Sequence, residues 1–400
     1  MENSRSANGL AAEQTASRRG LWSNYMISRN AWVPQAPISS MTLRNQHLTL
    51  ADAANVKARF ALVVLFVLLV SIGFLYVGGW VTPHRLTPAR IIDTFERVNG
   101  LHPGFRRNHA KGVGFSGRFE SNGQGSRLSK ASIFQPGRVE VVGRFALAGG
   151  MPYAADANST VRSMALRFAL PNGEEWRMGM NNIPVFAVNT PQAFTEQLVA
   201  MGPDPLTGKP NPVRVKAFFE RHPETARAIQ VIRVQPPTSG FDDSTFNSLN
   251  AFEFIDATGK ATAVRWSMVP AQTFAPGIAS PKNANFLFAS LIERVNRQPL
   301  RWHWVLVIGQ RGDPTNDATL AWPQDREKVD VGTLTIDSIE GEQTSPARAI
   351  NFDPLILPNG IAGSDDPLLS ARSAAYSQSF TRRVDEPVTA SAVTTPAAAK

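Results

Sequence analysis

Two short segments of the chain carry residue types that can transfer a proton and ligate a metal. In the first, His109 follows Arg106 by three positions, and an imidazole with a pKa near 6.5 can accept a proton and return it. In the second, Arg372 precedes Tyr376 by four positions, which places both side chains on one face of a helix. A phenol has a pKa near 10 and ligates a metal strongly only as the phenolate, which a neighbouring cation favours. Taken alone, each segment is more often a packed or surface feature.

Both segments belong to a series of motifs that follow one another in a fixed order. The series consists of RRNHAKG at 106–112, GMNNIPVF at 179–186, Trp322-Pro323, Phe352-Asp353-Pro354 with LPNGI at 357–361, and RSAAY at 372–376 followed by Arg382-Arg383. In this order the motifs resemble those of haem catalases, from about Arg85 to about Arg383. The most similar form is the small catalase-related peroxidase, here with a membrane anchor.

The resemblance implies a haem site whose reactive face carries His109 and Asn181. A neutral imidazole at His109 would take the proton from one peroxide oxygen and return it to the leaving oxygen, so that the O–O bond breaks heterolytically. The uncharged amide of Asn181 would donate a hydrogen bond that polarises the peroxide. On this basis His109 and Asn181 are the predicted catalytic residues.

The iron ligand is expected among four tyrosines. Tyr25 and Tyr76 lie in the amino-terminal tail and in an apolar run, which leaves Tyr153 and Tyr376. Tyr153 sits in a loop rich in Gly, Pro and Ala, whereas Tyr376 has Arg372 one helical turn before it. The resemblance therefore assigns the iron to Tyr376 and the phenolate-stabilising cation to Arg372.

Four further residues match family positions that hold the haem itself. Arg106, Arg144 and Arg383 correspond to arginines that bind the haem propionates, for which paired guanidinium donors are well suited. Phe194 corresponds to the phenylalanine that stacks on the ring. For each arginine, a solvated surface position is the alternative.

Three positions depart from the family pattern. Ala146 stands where catalases have the serine whose hydroxyl orients the distal histidine, Ala187 replaces a phenylalanine, and Asn108 replaces an apolar residue. These differences predict a roomier or more polar cavity, open to organic reductants. The sequence thus predicts a haem-dependent peroxidase that reduces hydrogen peroxide or organic hydroperoxides with an organic electron donor.

Other functions remain open on the sequence alone. Within the same family, the chain could dismutate hydrogen peroxide as a catalase does, or isomerise lipid hydroperoxides. Outside enzymes, it could be a haem carrier or sensor, or a lipid-binding barrel without haem. The donor, the preferred peroxide and the oligomeric state are not encoded in any recognised motif.

An uncharged apolar run from Phe60 to Val81 is long enough to cross a bilayer. Lys57 and Arg59 precede it, and Tyr76 and Trp80 lie near its other end, which favours an amino terminus in the cytoplasm. We therefore expect a bacterial inner-membrane protein with its haem domain in the periplasm. The expected domains are a cytoplasmic polar tail (1–58), a transmembrane helix (59–81), a haem domain (82–385) and a disordered tail (386–400) rich in Ala, Thr and Pro.

Composition sets the remaining bounds for this chain of 400 residues. It has no cysteine, which excludes disulfides, thiolate nucleophiles and Cys-ligated metals. The net charge is +9, but the basic residues are scattered and no nucleic-acid module is recognised, so no nucleic-acid partner is expected.

Strand patterns dominate after a first helix at Thr87–Asn99. Strands are predicted at 113–120, 138–148, 163–170, 175–180, 252–256, 262–269, 300–308 and 329–336, and further helices at 191–201, 213–231, 283–296 and 368–383. The predicted fold class is α+β, with an antiparallel β-barrel of the catalase type and flanking helices, preceded by one transmembrane helix.

Overall fold

The computed structural model describes residues 50–82, 85–274 and 283–395. The chain divides into two units, residues 1–70 and 71–400. Most of the predicted polar tail therefore lies outside the described residues. Helix α1 (Leu50–Val77) supplies the described part of the first unit and runs into the second.

Helix α1 contains the predicted apolar run as far as Val77, and a turn follows where Trp80 lies. Its segment Asn55–Val77 has 23 residues; the most apolar 18-residue stretch of this segment has a mean hydropathy of 2.9, and none of that stretch is buried. In the described part of the chain it is the one helix that is long and apolar enough to cross a membrane.

The second unit is built around an antiparallel sheet. Its strands are β1 (Gly112–Ser121), β2 (Gly137–Leu147), β3 (Arg162–Ala169), β4 (Glu175–Asn181), β5 (Phe246–Asn247), β6 (Phe252–Ile255), β7 (Ala261–Pro270), β8 (Leu300–Ile308), β9 (Lys328–Glu340) and β10 (Ile361–Gly363). The strands are paired in the order β10-β6-β7-β5-β4-β3-β2-β1-β9-β8, and an additional β7–β8 pairing closes the barrel. The predicted antiparallel barrel with flanking helices is therefore confirmed.

Alternation along the strands separates an interior of large apolar residues from an exterior of small or polar residues. Met164, Leu166 and Phe168 on β3 point inward and are fully buried, as do the apolar residues at alternate positions of β4. Aromatic rings fill the interior, where the rings of Trp304 and Phe168 are stacked with their centroids 5.5 Å apart. The outward positions between them are therefore free to line a site.

Six helices flank the barrel in the described residues. They are α2 (Pro88–Asn99), α3 (Pro191–Met201), α4 (Pro212–Arg221), α5 (Pro223–Arg233), α6 (Phe286–Arg297) and α7 (Pro367–Val384). The first, second and last begin at a capping side chain followed by proline, with Thr87, Thr190 and Asp366 accepting backbone N–H bonds. Helix α2 packs against α7, where Arg382 pairs with Asp93 at 2.6 Å.

One helix prediction was wrong in its continuity. The segment 213–231, predicted as a single helix, forms α4 and α5 on either side of His222. Pro223 lacks an amide hydrogen and disfavours a helical conformation at the residue before it, and His222 has φ −125° and ψ 68°. The chain therefore turns at this point and starts a second helix.

The carboxyl-terminal prediction of disorder has to be corrected for residues 386–395. Glu386 pairs with Arg107, and the Thr389 hydroxyl donates to the carbonyl of Pro103 at 2.8 Å. Val393 is only 2% exposed and joins the main hydrophobic core. These three contacts could not be predicted from a composition rich in Ala and Thr. Residues 396–400 lie outside the described range.

Replacing Val393 by Ala should destabilise the fold if this segment is part of the core. The lost burial predicts a decrease in the free energy of unfolding of roughly 1–3 kcal/mol, measured by urea denaturation. Val388→Ala is the matched control, because Val388 is 68% exposed. Equal effects of the two substitutions would show that residues 386–395 do not pack as described.

Candidate active site

A cavity lies between the outer face of the barrel and the helices α2, α3 and α7. The volume of the cavity is about 170 Å³. All of the predicted site residues line it, namely Arg106, His109, Arg144, Asn181, Phe194, Arg372, Tyr376 and Arg383. The structure therefore brings together residues that are far apart in the sequence.

The barrel wall of the cavity consists of two rows of outward-facing residues on β2, β3 and β4. In one row, Ala146 lies opposite Ser163, and Ser163 lies opposite Asn181. In the other row, Arg144 lies opposite Ala165, which lies opposite Gly179. Because most of these side chains are small, the wall leaves room for a flat group to lie against the strands.

His109 is placed by a loop that precedes β1. Its φ of 54° is unusual for a residue other than glycine, so the loop must be held by specific bonds. The Oδ1 atom of Asn108 accepts from the backbone N–H of His109 at 2.9 Å and from that of Gly149 at 3.0 Å. Asn108, interpreted from sequence as a more polar lining residue, thus also fixes the backbone of the predicted catalytic histidine.

The imidazole of His109 has a hydroxyl partner that the sequence did not reveal. Its Nδ1 atom lies 3.0 Å from the Oγ atom of Ser163 on β3, and the same hydroxyl donates to Oδ1 of Asn181. Ala146 lacks the hydroxyl expected at its position, but the neighbouring strand supplies one directly opposite it. His109 therefore has a hydroxyl partner although position 146 is an alanine.

The electrostatic surroundings keep His109 neutral. Burial is the main cause that lowers the pKa of His109 to about 3, and the positive charges of Arg144, Arg372 and Arg106 lower it further. A hydrogen bond with the backbone of Leu147 has the opposite, smaller effect. A neutral imidazole is the form that can accept a proton. His109 therefore stays unprotonated well below neutral pH.

Tyr376 enters the cavity from α7. A Cβ atom at Gly179 would lie 3.2 Å from Oη of Tyr376 and 3.2 Å from Nη2 of Arg372, so the absence of a side chain there lets both groups approach β4. Arg372 donates to the carbonyl of Gly179 at 3.0 Å and to Oδ1 of Asn250. These two hydrogen bonds anchor the Arg372 guanidinium group to β4 and to Asn250, and so hold it near the phenol of Tyr376. Tyr153, the alternative ligand, is 63% exposed and packs edge-on against Phe105.

Three arginines form a positive cluster at one end of the cavity. Arg144 donates to the carboxylate of Glu342 through Nε and Nη2, and Arg106 lies 3.5 Å from the same carboxylate. Burial, followed by repulsion from Arg383, lowers the pKa of Arg106 to about 9. Burial also raises the pKa of Glu342, but Arg144 and Arg106 outweigh it and hold that pKa below its ordinary value. Glu342 was missed because no motif links a turn after β9 to these arginines.

The charge of this cluster fits the two carboxylates of a haem. Three guanidinium groups against the single carboxylate of Glu342 leave two positive charges. The Nε and Nη2 atoms of Arg383 are buried without a hydrogen-bond partner among the described residues. Buried guanidinium donors of this kind require anionic partners. The residues present therefore fit a planar, dianionic ligand that Tyr376 and His109 would flank.

Apolar residues complete the cavity. Phe194 on α3 packs between Phe95 and Phe186, each with a ring centroid at 5.7 Å, and it faces the cavity as predicted. Ala146 also lines the cavity, whereas Ala187 is not among its lining residues. Of the two small replacements, only Ala146 therefore widens the cavity directly.

Comparison with known proteins matches residues 83–399 to the family model described as Catalase. A protein described as catalase-related peroxidase from Synechococcus elongatus is 39% identical over 331 residues, which cover 81% of this chain and 96% of that protein. Another of that description, from Mycolicibacterium paratuberculosis, is 31% identical over 302 residues, covering 74% and 95% respectively. A bacterial catalase structure superposes with a TM-score of 0.63 at 24% identity, covering 76% of this chain and 63% of that one, and this likeness concerns the fold alone.

The lowered pKa of His109 predicts a specific loss of stability with falling pH. Between pH 7 and pH 5 the unfolded chain binds a proton at His109 that the folded chain does not bind, so folding weakens. With a folded pKa of about 3 and an unfolded pKa near 6.5, this contribution reaches about 2 kcal/mol at pH 5. His109→Gln should remove it, so urea denaturation should show a smaller loss of stability between the two pH values.

His303→Gln is the control for this measurement, because His303 lies on β8 with an exposed side chain. It should not reproduce the effect of His109→Gln. An unchanged pH dependence in His109→Gln would mean that the folded protein protonates His109 normally.

Proposed function

The chain belongs to the catalase family, and from this premise we propose that it is a haem-dependent peroxidase. It would reduce hydrogen peroxide or organic hydroperoxides at the expense of an organic electron donor. The observation that carries the proposal is the convergence of His109, Asn181 and Tyr376 on one cavity with a cationic end. This arrangement provides a proton-transfer group, a neutral hydrogen-bond donor and an anionic metal ligand.

The cofactor-holding residues follow from the geometry of the cavity. Tyr376 would bind the haem iron as phenolate, with Arg372 near enough to favour the negative charge. Arg106, Arg144 and Arg383 would bind the propionates, and Phe194 would pack against the ring. When bound, the haem supplies the redox centre that delivers two electrons to the peroxide and recovers them from the donor.

The chain's own residues would manage the protons. Because Nδ1 of His109 is engaged by Ser163, Nε2 is the atom available to take a proton from one peroxide oxygen and give it to the other. The second oxygen would then leave as water, or as an alcohol when the substrate is an organic hydroperoxide, and the remaining oxygen would be reduced to water by two electrons from the donor together with two protons. The amide of Asn181 would donate a hydrogen bond to the peroxide without changing its own charge.

The shape of the cavity and the descriptions of similar proteins both favour peroxidase activity over dismutation. Ala146 and Asn108 both line the cavity. The family resemblance places a larger residue, serine, at position 146 and an apolar residue at position 108. The smaller and the more polar side chain would ease access for organic donors. The two relatives with 39% and 31% identity are both described as catalase-related peroxidases. Dismutation of hydrogen peroxide remains the second candidate, because the same residues would serve both reactions.

We place the protein in a bacterial inner membrane. The support is the apolar helix segment Asn55–Val77, which carries Lys57 and Arg59 near its start, ahead of its uncharged stretch. On this proposal residues 1–58 are cytoplasmic, the helix spans the bilayer once, and the haem domain faces the periplasm. A protease added to intact spheroplasts should cleave the haem domain and spare an amino-terminal tag.

His109→Ala should reduce the rate of peroxide consumption by about 10²–10⁴-fold, because it removes the group that moves the proton. The reaction is followed with hydrogen peroxide and an aromatic amine, recording donor oxidation and oxygen release together. His303→Ala, which alters an exposed histidine on β8, should leave the rate unchanged. Oxygen release exceeding donor oxidation in the unaltered protein would favour dismutation. Full activity in His109→Ala would show that His109 does not transfer the proton, whereas an unaltered, haem-loaded protein that consumes no peroxide would contradict both enzymatic functions.

Tyr376→Phe should keep the ring but remove the phenolate, and with it the proposed iron ligand. The expected result is a lower haem content and an altered Soret and visible absorption spectrum. Tyr153→Phe is the matched control and should leave the spectrum unchanged, because that side chain is exposed outside the cavity. An unaltered spectrum in Tyr376→Phe would assign the iron to another residue.

A further inference from the structure

A single hydroxyl connects the two proposed catalytic side chains. Ser163 Oγ lies 3.0 Å from Nδ1 of His109 and donates to Oδ1 of Asn181. Ser163 is 8% exposed, lines the cavity, and stands between the two residues on the barrel wall. The three side chains therefore form one chain of hydrogen bonds.

With Oδ1 of Asn181 facing Ser163, the count of hydrogens gives this chain a direction. A serine hydroxyl has one hydrogen, and here it points to Oδ1 of Asn181. The Oγ lone pair that remains can only accept, so Nδ1 of His109 must carry the ring hydrogen. Nε2 of His109 is then the unprotonated nitrogen, and the Nδ2 amide of Asn181 is free to donate into the cavity.

We infer that Ser163 is a positioning residue that sets the tautomer of His109 and the orientation of Asn181 at once. This inference rests on the proposed function. The family resemblance places a serine at position 146 on β2; in this chain that position is Ala146, and the hydroxyl lies directly opposite it at Ser163 on β3. From its position on β3, the hydroxyl also lies next to Asn181 on β4, which bonds it directly.

The opposite direction is the physical alternative. If Asn181 turned its amide toward Ser163, the serine would donate to Nδ1, and the ring hydrogen would move to Nε2. His109 would then present a donor to the peroxide, and Asn181 would present an acceptor. That arrangement could not accept the first proton, so the tautomer distinguishes the two directions.

The test compares four variants of the full-length chain in detergent. Ser163→Ala removes the hydroxyl, Ser163→Thr retains it, and Ala146→Ser combined with Ser163→Ala moves it to the opposite strand. Ser379→Ala is the matched control, since Ser379 lines the cavity on α7 without a described contact to His109. Thermal unfolding of each variant shows that the fold is kept.

The first readout is the tautomer of His109, measured by ¹⁵N NMR of histidine-labelled protein without added haem and assigned through His109→Gln. We expect the Nδ1–H form in the unaltered chain, in Ser163→Thr and in Ser379→Ala. Ser163→Ala should give a mixture of both tautomers. An Nε2–H form in the unaltered chain, or an unchanged tautomer in Ser163→Ala, would overturn the inference.

The second readout is steady-state peroxide reduction by the haem-loaded protein. Ser163→Ala should lower kcat by about 10–100-fold with little change in KM, because misplacement affects the proton transfer more than the binding. Ser163→Thr should stay within about threefold of the unaltered protein, and the moved hydroxyl should restore part of the loss. An unchanged kcat in Ser163→Ala would contradict the inference. A wholly inactive unaltered protein would contradict the proposed function, while the NMR result would still decide the role of Ser163.

Discussion

Positive charge held away from water is the constraint on which the rest of the site depends. Arg106, Arg144 and Arg383 meet at one end of an apolar cavity, and Glu342 compensates only one of their charges. Burying an uncompensated charge is costly, and the cost remains at Nε and Nη2 of Arg383, which have no hydrogen-bond partner within the described part of the chain. A ligand with two carboxylates would remove that cost, so its binding and the stability of this region are coupled.

The barrel makes such a site possible by sorting side chains to its two faces. Large aromatic residues fill the inside, while Ala146, Ala165 and Gly179 leave the outer wall shallow. Helix α7 can then bring Tyr376 close to β4, and the loop before β1 can place His109 against the same wall. The unusual backbone angle of His109 fits this role, because strained residues persist where surrounding bonds hold them.

The sequence predicted the members of the site better than the bonds among them. The eight residues assigned from the family resemblance all line the cavity, since residue type and chain order can be recognised without knowledge of contacts. The role of Ser163 could not be predicted from motifs, because it depends on which residue of β3 lies opposite Ala146. The pairing of Glu342 with Arg144 likewise arises only when the turn after β9 meets β2.

The helices show a similar division between local and tertiary signals. The predicted limits of α3 agree with the structure because a capping Thr190 and Pro191 mark its start. The break at Pro223 was available in the sequence but was outweighed by the helical pattern on both sides. The packing of residues 386–395 had no local signal, because it depends on partners such as Arg107 that lie elsewhere in the chain.

A crystal structure of the haem-loaded chain would test the central claim most directly. The account predicts a porphyrin in the cavity, with Oη of Tyr376 bonded to iron, His109 and Asn181 above the opposite face, and the propionates on Arg106, Arg144 and Arg383. Iron bound by another residue, or a porphyrin outside this cavity, would contradict it.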